Sequence, residues 1–185
     1  MSNDDTKLPI IHSVKTVARS RLFHVQRLNL EFSNGETREY ERLKSGTQGA
    51  VMIIPMLNSD TLLLIKEYAA GTESYQLGFP KGLIEHGEKP GHAANREMME
   101  EVGYGANKLT ELRSFCLAPG YLSHNMHLVL AEDLYPESLE GDEPEPIEVV
   151  EWPLAEAHKL LDRSDFTEAR SIAALYILEK HLQLT

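Results

Sequence analysis

The chain has 185 residues, with 18 Lys and Arg against 29 Asp and Glu and a formal net charge of −11. That length suits one domain of ordinary size with a small appendage, and the acidic balance argues against nucleic acid or an anionic membrane as the main partner. Cys116 is the one cysteine, which excludes an intrachain disulfide and fits a reducing cytoplasm.

The opening MSNDDTKLPII lacks a basic region followed by a long apolar run, so neither secretion nor a membrane location is expected. Residues 13–18, 22–32 and 36–43 alternate like strands, and Asn34-Gly35 between the last two is a strong hairpin signal. Residues 1–45 are therefore expected to form a small antiparallel unit, and residues 46–185 the main domain. From Gly49 the pattern changes to the buried runs AVMIIPML and TLLLIKEY, separated by Asn58-Ser59-Asp60. These suit a second hairpin or a pair of central strands.

Next comes GLIEHGEKPGHAANREMMEEVGY, residues 82–104. Pro90 suits the first helical position and Gly103 the residue that ends a helix, so a helix is expected over 90–102. Ala94, Met98 and Val102 make its apolar stripe, and Glu97, Glu100 and Glu101 share a neighbouring face. Like charges at this spacing cost roughly a few tenths of a kcal/mol each, and acids in a last turn oppose the helix dipole. Arg96 has Glu100 and Glu88 as possible partners. A solvated acidic face is the usual reading of such a helix. With Gly82 and Gly87 permitting a tight path before it, a preorganised seat for a hard cation is the better one.

Strands are expected at 109–118, with Cys116 as a packing residue, and at 126–132. A proline-broken acidic loop spans 137–146; IEVVEW reads as a strand, and PLAEAHKLLD and FTEARSIAALYILEKHLQ as helices. His86, His92, His124 and His127 lack zinc-site spacing, and no serine sits in a nucleophile elbow.

Residues 82–104 fit the pattern G-x5-E-x7-R-E-U-x-E-E-x-G-U, U being bulky and apolar, through Gly82, Glu88, Arg96, Glu97, Met98, Glu100, Glu101, Gly103 and Tyr104. A random window would match on the order of once in a billion. The chain thus resembles the Nudix hydrolases, and within them the branch that acts on ADP-linked compounds, related to ADP-ribose pyrophosphatases. Pro119, sixteen residues beyond Gly103, the stretches VARSRLF and LEFSNGETREYERL, and the acidic loop YPESLEGDEPEP support that branch.

The resemblance implies an αβα sandwich with a mixed sheet, in the α/β or α+β class, preceded by the small antiparallel unit. It implies Mg²⁺, with Mn²⁺ as a substitute, held by Glu97 and Glu101, with Glu100 as a further ligand or the holder of a coordinated water and the Lys81 carbonyl as a backbone ligand. Arg96 would orient Glu88 and Glu97. The general base would be Glu145 or, second, Glu143, on the loop before IEVVEW, unless the box itself supplies it. Arg38, Tyr40, Arg42 and Pro119 become candidate substrate contacts, and the amino-terminal unit a candidate contact between the subunits of a homodimer. Many relatives have an arginine directly after a motif like Lys66-Glu67-Tyr68; Ala69 stands there, which favours a broader set of substrates, such as ADP-ribose, NADH and diadenosine oligophosphates. The alternative is a Nudix-fold module that senses a nucleotide without cutting it, which the complete set of box glutamates disfavours.

Overall fold

The computed structural model describes residues 7–44, 49–141 and 143–183, and these divide into two compact units. The boundary expected at 45/46 lies outside the described residues.

The first unit comprises residues 7–44 with the later segment Cys116–His124. Its strands β1 (Ile10–Arg19), β2 (His24–Glu31) and β3 (Thr37–Leu43) form an antiparallel sheet in the order β1-β2-β3. The turn expected at Asn34-Gly35 joins β2 to β3. Gly35 has φ 81° and the Asn34 side chain accepts from the Glu36 amide at 3.0 Å, so this pair supplies both the left-handed residue and the cap. The segment Cys116–His124 adds to the end of β3: Leu43 N–H donates to the Tyr121 carbonyl at 2.7 Å, and Ser123 N–H to the Leu43 carbonyl at 3.2 Å. Cys116 is exposed at the end of its strand, which corrects the expectation of a packing residue. The strand that carries it fully buries only Gly105 and Ala106; further along Leu109, Leu112 and Phe115 pack against the core half-buried, and Cys116, next to Phe115, is left exposed.

The second unit holds a seven-stranded mixed sheet of β4 (Ala50–Asn58), β5 (Thr61–Ala69), β6 (Ser74–Gly78), β7 (Lys81–Leu83), β8 (Tyr104–Cys116), β9 (Asn125–Pro136) and β10 (Glu148–Pro153). The path is β10-β5-β4-β9-β8, with β6 on β5 and β7 on β4; β4 and β9 run parallel. Alternation in β4 explains the layers. Met52, Ile54 and Met56 enter a cluster with Leu160 and with Ala174, Leu175 and Leu178 of α2 (Ala169–Gln183). Val51 and Ile53 enter another with Ala93, Ala94 and Met98 of α1 (Pro90–Glu101). A strand buried on both faces reads as one continuous apolar run, as AVMIIPML does. The sheet is therefore covered by helix on each side, the αβα arrangement.

Three elements differ from expectation. PLAEAHKLLD winds as a 3₁₀ helix over Leu154–Asp162, not an α-helix; its buried residues Ala157 and Leu160 are three apart, the repeat that a 3₁₀ turn aligns. The short strands β6 and β7, parted by Phe79-Pro80, had no distinct periodic signal. Among the described residues, no helix is long and apolar enough to cross a membrane.

Candidate active site

The local frame is set by α1. Pro90 occupies its start, and Val102 and Gly103 close it by donating to the Met98 carbonyl at 2.9 and 3.1 Å, with Gly103 at φ 77°. Ala93, Ala94 and Met98 bury one face. Arg96 gathers the other. Its guanidinium donates to both oxygens of Glu88 (3.2 and 3.1 Å), to Glu97 (2.7 Å), to Glu100 (3.2 Å) and to the Leu83 carbonyl (2.9 Å). Glu88 in turn accepts from the Glu85 amide at 3.0 Å. One planar cation thus ties the loop before the helix to two of its acids, a task suited to the fork geometry of arginine.

Burial and crowding then act on the carboxylates. Glu101 is 7% exposed and accepts from the Lys81 amide at 3.0 Å. Burial pushes its carboxyl up to about 8, against the pull of Lys81. Burial also raises Glu97, with the charges of Glu100 and Glu143 adding to the rise and Arg96 opposing it. Glu88 is held below its usual value: burial, the largest single influence, would raise it, and the hydrogen bonds from Arg96 and the Glu85 amide together with the charge of Arg96 outweigh that. Gly82 is required by the same crowding, because a Cβ there would fall within the Glu97 carboxylate.

The chemistry of this set fits a divalent cation. Glu97 and Glu101 are two hard oxygen donors one turn apart on a rigid helix, and a buried carboxyl with a raised pKa is one whose anion a bound cation would stabilise. Among the described residues, no three acidic, histidine or cysteine side chains already form a closed ligand set; Arg96 instead holds Glu97 and Glu100.

The acidic loop lies against this face. The Glu137 amide donates to the Gly103 carbonyl at 3.2 Å and the Leu139 amide to Met99 at 3.1 Å, which docks the loop on the end of α1. Beyond these anchors, Glu143 and Glu145 line a groove of about 480 Å³ with Glu100 and Glu101. The two loop acids differ in surroundings. Glu143 adds its charge at Glu97, whereas Glu145 accepts a hydrogen bond from the Tyr75 hydroxyl. Tyr75 and Tyr68 meet nearly edge-on, 5.5 Å between ring centres and 66° between planes. Both line an adjoining cavity of about 400 Å³ with Lys66, Glu143 and Glu145. Lys81 turns its ammonium to Glu67 at 2.9 Å. Sequence reasoning missed Tyr75: it pairs with Tyr68 across β5 and β6, but no spacing links it to Glu145.

In the first unit, Tyr40, Arg42 and Pro119 line one cavity of about 210 Å³ with Leu28, Leu30 and Tyr121. The turn after Ala118 brings Pro119 there, and Arg42 is steadied by Gln26 at 3.1 Å. Arg38 is not among the lining residues. It is engaged by Glu36 and by the Thr37 carbonyl, at 2.8 and 2.7 Å.

Comparison with known proteins agrees with this geometry. Residues 9–42 match the NudE-type Nudix hydrolase N-terminal domain, and residues 46–175 the NUDIX domain. The chain is 57% identical to the ADP compounds hydrolase NudE of Escherichia coli (strain K12), covering 95% of this chain and 94% of that protein. It is 32% identical to an ADP-ribose pyrophosphatase of Bacillus subtilis (strain 168), covering 89% and 92%. The crystal structure of an ADP compounds hydrolase superposes with a TM-score of 0.91 at 56% identity, over 96% of each chain. The chain belongs to the Nudix hydrolase family.

Proposed function

We propose that this enzyme hydrolyses the diphosphate of ADP-linked compounds, ADP-ribose, NADH and diadenosine oligophosphates among them, in a reaction that depends on Mg²⁺ or Mn²⁺. The observation that carries this reading is the buried Glu101 beside Glu97 on a helix whose acids Arg96 gathers. The names of the relatives, an ADP compounds hydrolase and an ADP-ribose pyrophosphatase, support the substrate class.

Glu97 and Glu101 hold the cation, joined by Glu100 and by the carbonyl of Lys81. Such a cation supplies positive charge against the diphosphate and makes the attacking water more acidic. Arg96 keeps Glu97 and Glu100 from swinging into solvent. A carboxylate of the acidic loop takes the proton from the attacking water as its oxygen adds to phosphorus and the bridging P–O bond breaks. Glu143 and Glu145 are the two candidates. The charge of Glu143 acts on Glu97 while Glu145 is engaged by Tyr75, which supports Glu143. Attack at either phosphorus of ADP-ribose gives the same products, AMP and a sugar phosphate.

The amino-terminal unit is assigned substrate contacts through Tyr40, Arg42 and Pro119, with Arg38 nearby on the same strand, and a subunit contact in a homodimer. The exposed apolar side chains of Ile10, Ile11, Val14 and Val17 support the second role. A monomeric mass by light scattering at micromolar protein would remove it. The function itself is tested by incubating the protein with Mg²⁺ and a panel of ADP-linked compounds and resolving the products by chromatography. AMP release is expected; release of inorganic phosphate alone, or of nothing, rejects the reading.

A further inference from the structure

The loop after β9 is anchored at both ends. At its start the Glu137 amide bonds to Gly103, just past α1, and the Leu139 amide to Met99 of α1; at its finish Ile147 packs on the core and Glu148 pairs with Lys66 of β5. Between these anchors the sequence is Glu143-Pro144-Glu145-Pro146. The two prolines have no N–H to donate, which leaves the segment short of backbone donors, and their fixed φ angles make it stiff. A shift of Glu145 is therefore passed on to Glu143, two residues away.

The partner of Glu145 is the Tyr75 hydroxyl. Tyr75 stands on β6, within the sheet, and its ring is braced edge-on against Tyr68. A strand of the sheet thus delivers a donor to a carboxylate on a strap short of backbone donors, and hydrogen bonds to ionised acceptors are the stronger kind. We propose that Tyr75 is a positioning residue, which latches the acidic loop through Glu145 and so sets where Glu143 stands over the acid face of α1. This rests on the reading of Glu143 as the base. The same bond holds the Tyr75 hydroxyl above its ordinary pKa.

A competing role for the ring is as a wall of the adjoining cavity that touches substrate. The two roles separate in kinetics, because a lost latch lowers kcat and a lost wall raises KM. The test uses the full-length enzyme with Mg²⁺ and ADP-ribose, comparing Tyr75→Phe, Glu145→Ala, the double variant and Glu145→Gln. Hydrogen exchange is read at the loop's bonded amides, Glu137 and Leu139. Tyr75→Phe is expected to lower kcat on the order of tenfold, keep KM within about twofold and speed exchange in the loop. Glu145→Ala should do the same, and the double variant should be no worse than the poorer single one. Glu145→Gln keeps an acceptor oxygen, so the loop should stay protected.

Unchanged kcat and exchange in Tyr75→Phe, a rise in KM alone, or single effects that multiply in the double variant would each overturn the proposal. Glu143→Gln tests the underlying reading separately. Full turnover there removes Glu143 as the base, while exchange in Tyr75→Phe still reports whether the latch exists.

Discussion

The carboxylate of Glu97 lies over the α-carbon of Gly82, so near that a methyl group at residue 82 would occupy the same space. The glycine at the start of the box is thus a consequence of where the acid stands. Gly82→Ala should push Glu97 out of place and lower kcat on the order of a hundredfold while the protein remains folded. Steady-state kinetics with circular dichroism checks this; near-normal turnover in a folded variant would mean that the position of Glu97 is not critical.

Arg96 bonds to three carboxylates and one carbonyl, and its side chain is mostly covered. A lysine could satisfy only part of that fork. Arg96→Lys is expected to lower the free energy of unfolding by about 2 kcal/mol, from broken hydrogen bonds to charged groups. Urea denaturation measures this, and an unchanged midpoint would show that the network adds no stability.

Glu101 gives the metal-free protein a distinctive response to pH. Burial pushes its carboxyl up to about 8 in the folded chain against an ordinary 4.5, so between those values the folded state holds a proton that the unfolded state has released. Its contribution is fully present below pH 4.5 and is lost as pH rises through about 8. Thermal melts in a chelator should show stability falling over that window, with a shallower fall in Glu101→Gln. Added Mg²⁺ should offset the loss at high pH, because the cation stabilises the anion. Equal slopes for the two proteins would remove Glu101 as the cause.

How much of this was legible in the sequence depended on whether the signal was local. α1 was readable because Pro90, Gly103 and the stripe Ala94-Met98-Val102 all agree within one short stretch. The hairpin at Asn34-Gly35 was readable for the same reason, since one dipeptide supplies both the positive φ and the side-chain cap. β6 and β7 were not readable: strands of five and three residues interrupted by Phe79-Pro80 have too few residues to show a period. Cys116 was misjudged because its neighbour Phe115 takes the place against the core, and an apolar run does not say which of two adjacent residues points inward. The bond between Tyr75 and Glu145 spans 70 positions and depends on β5 pairing with β6 on one edge and β10 on the other. Only tertiary structure brings those two residues together.

The central claim is that the acids of α1 hold a divalent cation for cleavage of a diphosphate. Its most direct measurement is Mn²⁺ binding by electron paramagnetic resonance, made on the wild type and on the Glu97→Gln/Glu101→Gln variant, with AMP release from ADP-ribose followed in the same samples. The account predicts that the wild type binds Mn²⁺ and releases AMP and that the folded variant does neither. Wild-type turnover in a variant that no longer binds the ion would contradict it.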